Sequence, residues 1–317
     1  MKTDDQKILP LFPPGFSIGH WTDEAALTGC TVILCPPATV GGCDVRGSSP
    51  GSRELALLAS EKTMNEVHAV LLTGGSAFGL AAADGVMQYL EEHNIGYQTP
   101  WVRVPIVPAA VVFDLNIGSK SVRPTAKSGY EACADARSDV VPEGNVGAGT
   151  GATVGKWAGT EFRMKGGIGI AGATRDALCV TALAVVNAVG DVIDEGGNIL
   201  AGARGSDKGW LAERDPLRTF ARVSPRLSNT TLVAIMTNAW LTKVEVNRLS
   251  QRGHDGMARA VKPIHTSYDG DVVFGLASGE VGEPFDLVAE MGATVTAQAI
   301  RRAVQMAESV EGAPACR

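Results

Sequence analysis

Three stretches of this 317-residue chain carry residue types and spacings that could do chemistry. Gly167, Gly169 and Gly172 fall in the GxGxxG pattern with which a backbone approaches a pyrophosphate at a helix N-terminus. The residues before the pattern (Glu161, Phe162, Arg163, Met164, Lys165) make a poor buried strand, and those after it read as strand, so the required helix is missing. From Gly147 to Lys156 the chain looks like a P-loop until positions are counted. Thr150 stands where the first glycine belongs, and Trp157 where the magnesium-binding hydroxyl belongs. In the third stretch, Asn229, Thr230 and Thr231 join a polar loop to an apolar run. Asp269-Gly270-Asp271 marks another strand entrance downstream, and Lys156 lies upstream. A hydroxyl, two carboxylates and an amine are residue types that a nucleophilic site could use. The same residues also make an ordinary loop-to-strand junction, a turn and a surface lysine.

The elements that must position these groups follow from hydrophobic period and turn residues. Residues 31–34 and 40–45 read as strands separated by Pro36 and Pro37. Residues 52–67 show roughly helical spacing of Leu55, Leu57, Leu58 and Met64, and 68–72 form a short buried strand ended by Thr73-Gly74-Gly75-Ser76. Leu80, Ala83, Val86, Met87 and Leu90 give an amphipathic helix that Asn94 and Gly96 stop. Residues 105–115 read as strand, 116–172 as a polar, glycine-rich middle, and 179–192 mostly as strand. Residues 196–228 read as a loop with a marginal helix at 216–223, and 231–237 as strand. Thr242 and Glu245 have capping-box spacing and open a helix that Pro263 closes. A strand at 272–276 and a long helix at 285–310 complete the chain. The alternation suits stacked helix and sheet layers better than a simple doubly wound sheet.

Composition narrows the function. Thirty-eight glycines exceed the usual share of about 7% and carry no triplet repeat, which indicates tight turns and close backbone approaches. A net charge of −6, with no basic patch interleaved with aromatics, argues against nucleic acid. Lys2, Asp4, Asp5 and Lys7 interrupt the N-terminal segment, so neither a secretory signal nor a membrane span is expected. Six cysteines without CxxC spacing suggest reduced thiols in a cytoplasm, with no metal site and no cofactor.

Taken in order, five segments resemble the self-cleaving aminopeptidases typified by the L-aminopeptidase/D-esterase DmpA, the β-peptidyl aminopeptidases and the nylon-oligomer hydrolases. They are 72–80 (LTGGSAFGL), 147–156 (GAGTGATVGK), 186–190 (VNAVG), Asn229-Thr230-Thr231 and 265–271 (HTSYDGD). The resemblance implies an α/β fold, a four-layer α/β/β/α sandwich like that of amino-terminal nucleophile hydrolases but with different connectivity. It implies a single catalytic domain, 1–317, that cuts itself between Asn229 and Thr230. The fragments 1–229 and 230–317 would stay associated and assemble as a homo-oligomer, a tetramer of such pairs. The substrate would be a small peptide, an amino-acid amide or an amide oligomer.

By the same resemblance Thr230 is the nucleophile, Asn187 an oxyanion donor, Asp269 and Asp271 the acidic pair that orients it, and Lys156 a tuning cation. Gly74, Gly75 and Ser76 would line the substrate pocket with backbone N–H groups, and Phe78 stands where some nylon-oligomer hydrolases have tyrosine. Once Thr230 is an amino terminus, its α-amine (ordinary pKa about 7.7–8.0) can serve as base near neutrality. Asp269 and Asp271 would raise that pKa and Lys156 would lower it. The resemblance leaves open an acyltransferase on the same threonine and a binding protein that has kept the fold.

Overall fold

The computed structural model describes residues 12–214 and 229–316. Two five-stranded sheets form its centre. The first contains β1 (Ser17–Asp23), β2 (Thr28–Leu34), β4 (Ser52–Arg53), β5 (Ala69–Thr73) and β6 (Ala109–Val111), while β3 (Val40–Val45) crosses to the second. β7 (Gly167–Arg175), β8 (Leu178–Asn187), β9 (Thr230–Ala239) and β10 (Val272–Val281) complete that second sheet, in the order β7-β8-β9-β10-β3. The order in the first is β1-β2-β5-β6-β4. Each sheet holds one parallel pair, β5 with β6 and β9 with β10; the other neighbours are antiparallel.

Side-chain alternation explains the layers. Val70 and Leu72 of β5 point between the sheets, with Leu183 and Val185 of β8 and Leu232, Ala234 and Met236 of β9. The intervening residues point outward. Ala69 and Leu71 meet α1 (Ala82–Glu92) and α2 (Ala126–Ala134). Ala182, Ala184, Val233 and Ile235 meet α3 (Lys243–Ala258) and α4 (Phe285–Gln305). The result is the expected α/β/β/α sandwich. β8 and β9 are buried on both faces, which is why their sequences read as unbroken apolar runs. Burying a side chain such as Leu232 contributes about 2 kcal/mol, and a one-residue slip would turn every such residue to the wrong face, so the register is fixed.

Several local expectations need correction. Residues 52–67 hold only a short 3-10 turn, Leu55–Leu58, after β4, because the second half of that stretch is polar. Residues 105–115 yield the short β6 alone. The glycine-rich middle contains α2, whose small residues permit close crossing of α1: a Cβ on Gly129 would sit 2.0 Å from the Ala82 carbonyl oxygen. The GxGxxG run is itself strand, β7. The capping box forms, with Thr242 N–H donating to Glu245 at 2.8 Å. The helix expected at 216–223 lies outside the described residues.

Candidate active site

β8 ends and β9 begins side by side, and the register pairs Asn187 with Thr230. Facing residues of an antiparallel pair project to the same side. Alternation carries that side from Leu183 and Val185 to Asn187 on β8, and from Leu232 back to Thr230 on β9. It is the space between the sheets. Both side chains therefore lie at the mouth of the sandwich, where the hydrophobic filling gives way to polar groups.

Thr230 is buried, and its hydroxyl donates to the carbonyl oxygen of Asn229 at 2.5 Å. The Gly270 N–H closes on the same oxygen at 2.8 Å. A carbonyl held by a backbone donor, with a hydroxyl against it, is a polarised amide beside a group of nucleophilic type. Glycine is required at 270, since a Cβ there would stand 2.6 Å from the Ser49 carbonyl oxygen and 2.9 Å from the Thr230 hydroxyl.

Lys156 is fully buried. Its Nζ donates to Asn187 Oδ1 at 2.7 Å and to the Asn187 carbonyl at 3.0 Å. Among the described residues no carboxylate reaches ion-pair distance of it. Burial pulls its pKa well below the ordinary lysine value, and the field of Asp269 opposes that only in part. The tuning cation expected from the sequence is thus pushed toward the neutral amine, because desolvation outweighs the nearest negative charge. A neutral amine has two N–H donors, both used here on Asn187, and one remaining lone pair. The Asn187 amide is oriented by the same network: Oδ1 also accepts the Thr153 N–H at 3.0 Å, and Nδ2 donates to the Phe113 carbonyl at 3.0 Å. One Nδ2 hydrogen is left for a ligand.

The two aspartates are buried and do separate jobs. Asp269 accepts the Val189 N–H at 3.3 Å on one oxygen, and on the other the Thr266 N–H at 3.1 Å and hydroxyl at 2.5 Å. Burial, then the charge of Asp271, raises its pKa to about 6. Asp271 accepts the Thr231 N–H at 2.7 Å and the His265 ring at 2.8 Å. Its reach is thus to the residue after Thr230.

The Gly74–Ser76 turn enters at one remove. Asp114, next to the Phe113 that holds Asn187, accepts the Gly75 N–H at 2.7 Å. Gly74 N–H donates to the Gly29 carbonyl at 2.8 Å and Ser76 N–H to that of Val112 at 3.0 Å. All three N–H groups have partners inside the protein. Gly75 has φ 77, so the turn itself needs a residue without a Cβ. Phe78 is exposed, with the Arg123 guanidinium 3.8 Å above its ring.

Gly270, His265, Thr266 and Thr153 were given no role by the sequence reading. All four lie in the 147–156 and 265–271 segments that carry the resemblance, and the glycine between two aspartates was the one with a signal of its own. Among the described residues no cluster of three His, Cys, Asp or Glu side chains could hold a metal ion. None of their helices is long and apolar enough to cross a membrane.

The chain matches peptidase family S58 over residues 14–316. It is 40% identical to an uncharacterized aminopeptidase of Mycobacterium leprae, over 95% of this chain and 91% of that protein. It is 33% identical to a 6-aminohexanoate-oligomer endohydrolase of a Kocuria strain, over 86% of this chain and 75% of that protein. The fold is similar to that of the L-aminopeptidase/D-Ala-esterase/amidase of Ochrobactrum anthropi, described as a variant of the Ntn-hydrolase fold (TM-score 0.70, 17% identity, 93% and 85% of the two chains). A Burkholderia β-aminopeptidase is similar to the same degree (TM-score 0.69, 21% identity, 94% and 86% covered). The chain belongs to peptidase family S58, a family of amide-bond hydrolases.

Proposed function

We propose that this protein is made as a precursor which cleaves itself between Asn229 and Thr230, and that the exposed Thr230 then hydrolyses small peptides, amino-acid amides or amide oligomers. The observation that carries the reading is the Thr230 hydroxyl lying 2.5 Å from the Asn229 carbonyl oxygen, on which the Gly270 N–H also closes. In self-cleavage the Thr230 Oγ attacks the Asn229 carbonyl carbon, and neutral Lys156 takes its proton. Gly270 N–H stabilises the oxyanion. The C–N bond breaks, the Thr230 nitrogen takes that proton from Lys156 and becomes an α-amine, and Asn229 is left as an ester on Oγ. Water opens the ester and restores the hydroxyl.

In turnover the α-amine is the base. It takes the Thr230 proton as Oγ attacks the substrate carbonyl, and delivers it to the leaving amine; water then releases the acid. Asn187 offers its remaining N–H to the oxyanion. Asp269 and Asp271 hold the loop and the strand around the nucleophile. The fragments remain together because β9 lies between β8 of one fragment and β10 of its own, with both faces buried. Cys30, Cys35, Cys43 and Cys133 are free thiols, the state a reducing compartment maintains, and the reading extends to a cytoplasmic homo-oligomer, a tetramer of such pairs.

Intact mass of the purified protein and amino-terminal sequencing of the smaller fragment test this directly. The expected sequence starts Thr-Thr-Leu-Val, and Thr230→Ala should give one uncut, inactive chain. A Thr230→Ala protein that still splits at this bond removes the assignment. Release of free acid from a peptide p-nitroanilide without an added acceptor separates hydrolysis from acyl transfer.

A further inference from the structure

The first half of the HTSYDGD segment holds a group the mechanism has not used. His265 Nδ1 lies 2.8 Å from Asp271 Oδ2, and the His265 backbone N–H donates to the same oxygen at 3.2 Å. A carboxylate only accepts, so Nδ1 carries the hydrogen. The other oxygen, Oδ1, receives the Thr231 N–H at 2.7 Å. The His265 backbone has φ 55, and that left-handed curl lets its own N–H and its own ring converge on one oxygen. Behind it the edge of the ring meets His254 of α3 at 4.7 Å between centroids, and His254 Nε2 is held by the Asp44 carbonyl of β3 at 3.0 Å. His254 is buried and its pKa is held down to about 4, mainly by desolvation, so the ring is backed by a neutral neighbour.

We infer that His265 is a positioning residue: it clamps the Asp271 carboxylate so that its free oxygen fixes the Thr231 amide, and with it the start of β9 and the Thr230 hydroxyl. The inference rests on Thr230 being the nucleophile. Without the clamp the Asp271 side chain can rotate, and the strand end it holds loses its anchor next to the reacting atom. A displacement of about 1 Å at a reacting group can cost roughly a hundredfold in rate.

The test compares three variants in the full chain, reading self-cleavage rate, kcat and KM. His265→Asn places an amide N–H where Nδ1–H stood and should keep rates within about threefold of the wild type. His265→Gln, whose N–H falls at the Nε2 position, and His265→Leu should lose about a hundredfold in self-cleavage and in kcat, with KM little changed. If the Leu variant does not fold, the Gln variant carries the comparison. Wild-type rates in all three would overturn the role, and so would equal losses in all three, Asn included. Thr230→Ala is run alongside: if it remains active, the nucleophile assignment fails, whereas an inactive Thr230→Ala beside fully active His265 variants defeats the clamp alone.

Discussion

Lowering the pH should slow self-cleavage of the precursor, and Asp269 sets where. Its carboxylate accepts from three donors, the Val189 N–H and the Thr266 N–H and hydroxyl. Protonation converts one acceptor site into a donor and breaks that set. The turn it holds, Thr266 to Gly270, carries the N–H that polarises the Asn229 carbonyl. Burial and the Asp271 charge hold Asp269 up to about 6, so it is ionised above that pH and neutral below. A group titrating near pH 6 is about nine-tenths ionised at pH 7 and about one-tenth at pH 5, roughly a ninefold fall in competent precursor. The assay follows conversion of newly translated precursor to two bands on denaturing gels between pH 4.5 and 8. Asp269→Asn should react slowly at every pH and lose the inflection near 6. If that variant keeps the same inflection, or if the wild type shows none between pH 5 and 7, the reasoning is refuted.

Lys156→Met keeps the buried volume and should leave the fold intact while slowing self-cleavage by at least about a hundredfold, since the proton acceptor is gone; circular dichroism and gel conversion together check this. Gly270→Ala drives a Cβ into the Ser49 carbonyl and the Thr230 hydroxyl, and should cost about 1–3 kcal/mol by urea unfolding along with most of the self-cleavage. Lys165 is also fully buried; its ammonium form donates to the carbonyls of Gly149, Ala152 and Gly166, and burial holds its pKa down to about 7. An unfolded lysine keeps its proton to about 10.4, so above pH 7 the unfolded chain binds the extra proton and stability should rise with pH. Lys165 adds up to about 1.4 kcal/mol per pH unit between pH 7 and about 8.5, read as a rising urea midpoint. A flat or falling midpoint over that interval would show that the lysine is charged in the folded protein.

Much of this could be read before any coordinates. The apolar runs of β8, β9 and β10 and the capping box of α3 announce themselves because their signals are local: alternation, run length and one reciprocal side-chain pair. α2 was hidden in a glycine-rich stretch, because Gly129 serves a helix crossing, which is a tertiary demand. The 52–67 stretch misled through leucine spacing, which a single 3-10 turn and a neighbouring core also satisfy. In the site, residue types at the loop-strand junction and the order of the motifs pointed to Thr230, Asn187, Lys156 and the aspartates. Which of them would touch could not be read there.

What the amino-acid order determined by itself is the layered architecture and the inventory of a hydroxyl, an amine, an amide and two carboxylates. Only the folded arrangement decided their states and duties. Burial strips Lys156 of water and moves it toward a neutral amine; turn geometry commits the Gly74–Ser76 N–H groups to internal partners; and Gly270, from forty residues downstream, supplies the donor to the Asn229 carbonyl. Desolvation and hydrogen-bond direction depend on neighbours brought from distant parts of the chain, and no local pattern records them.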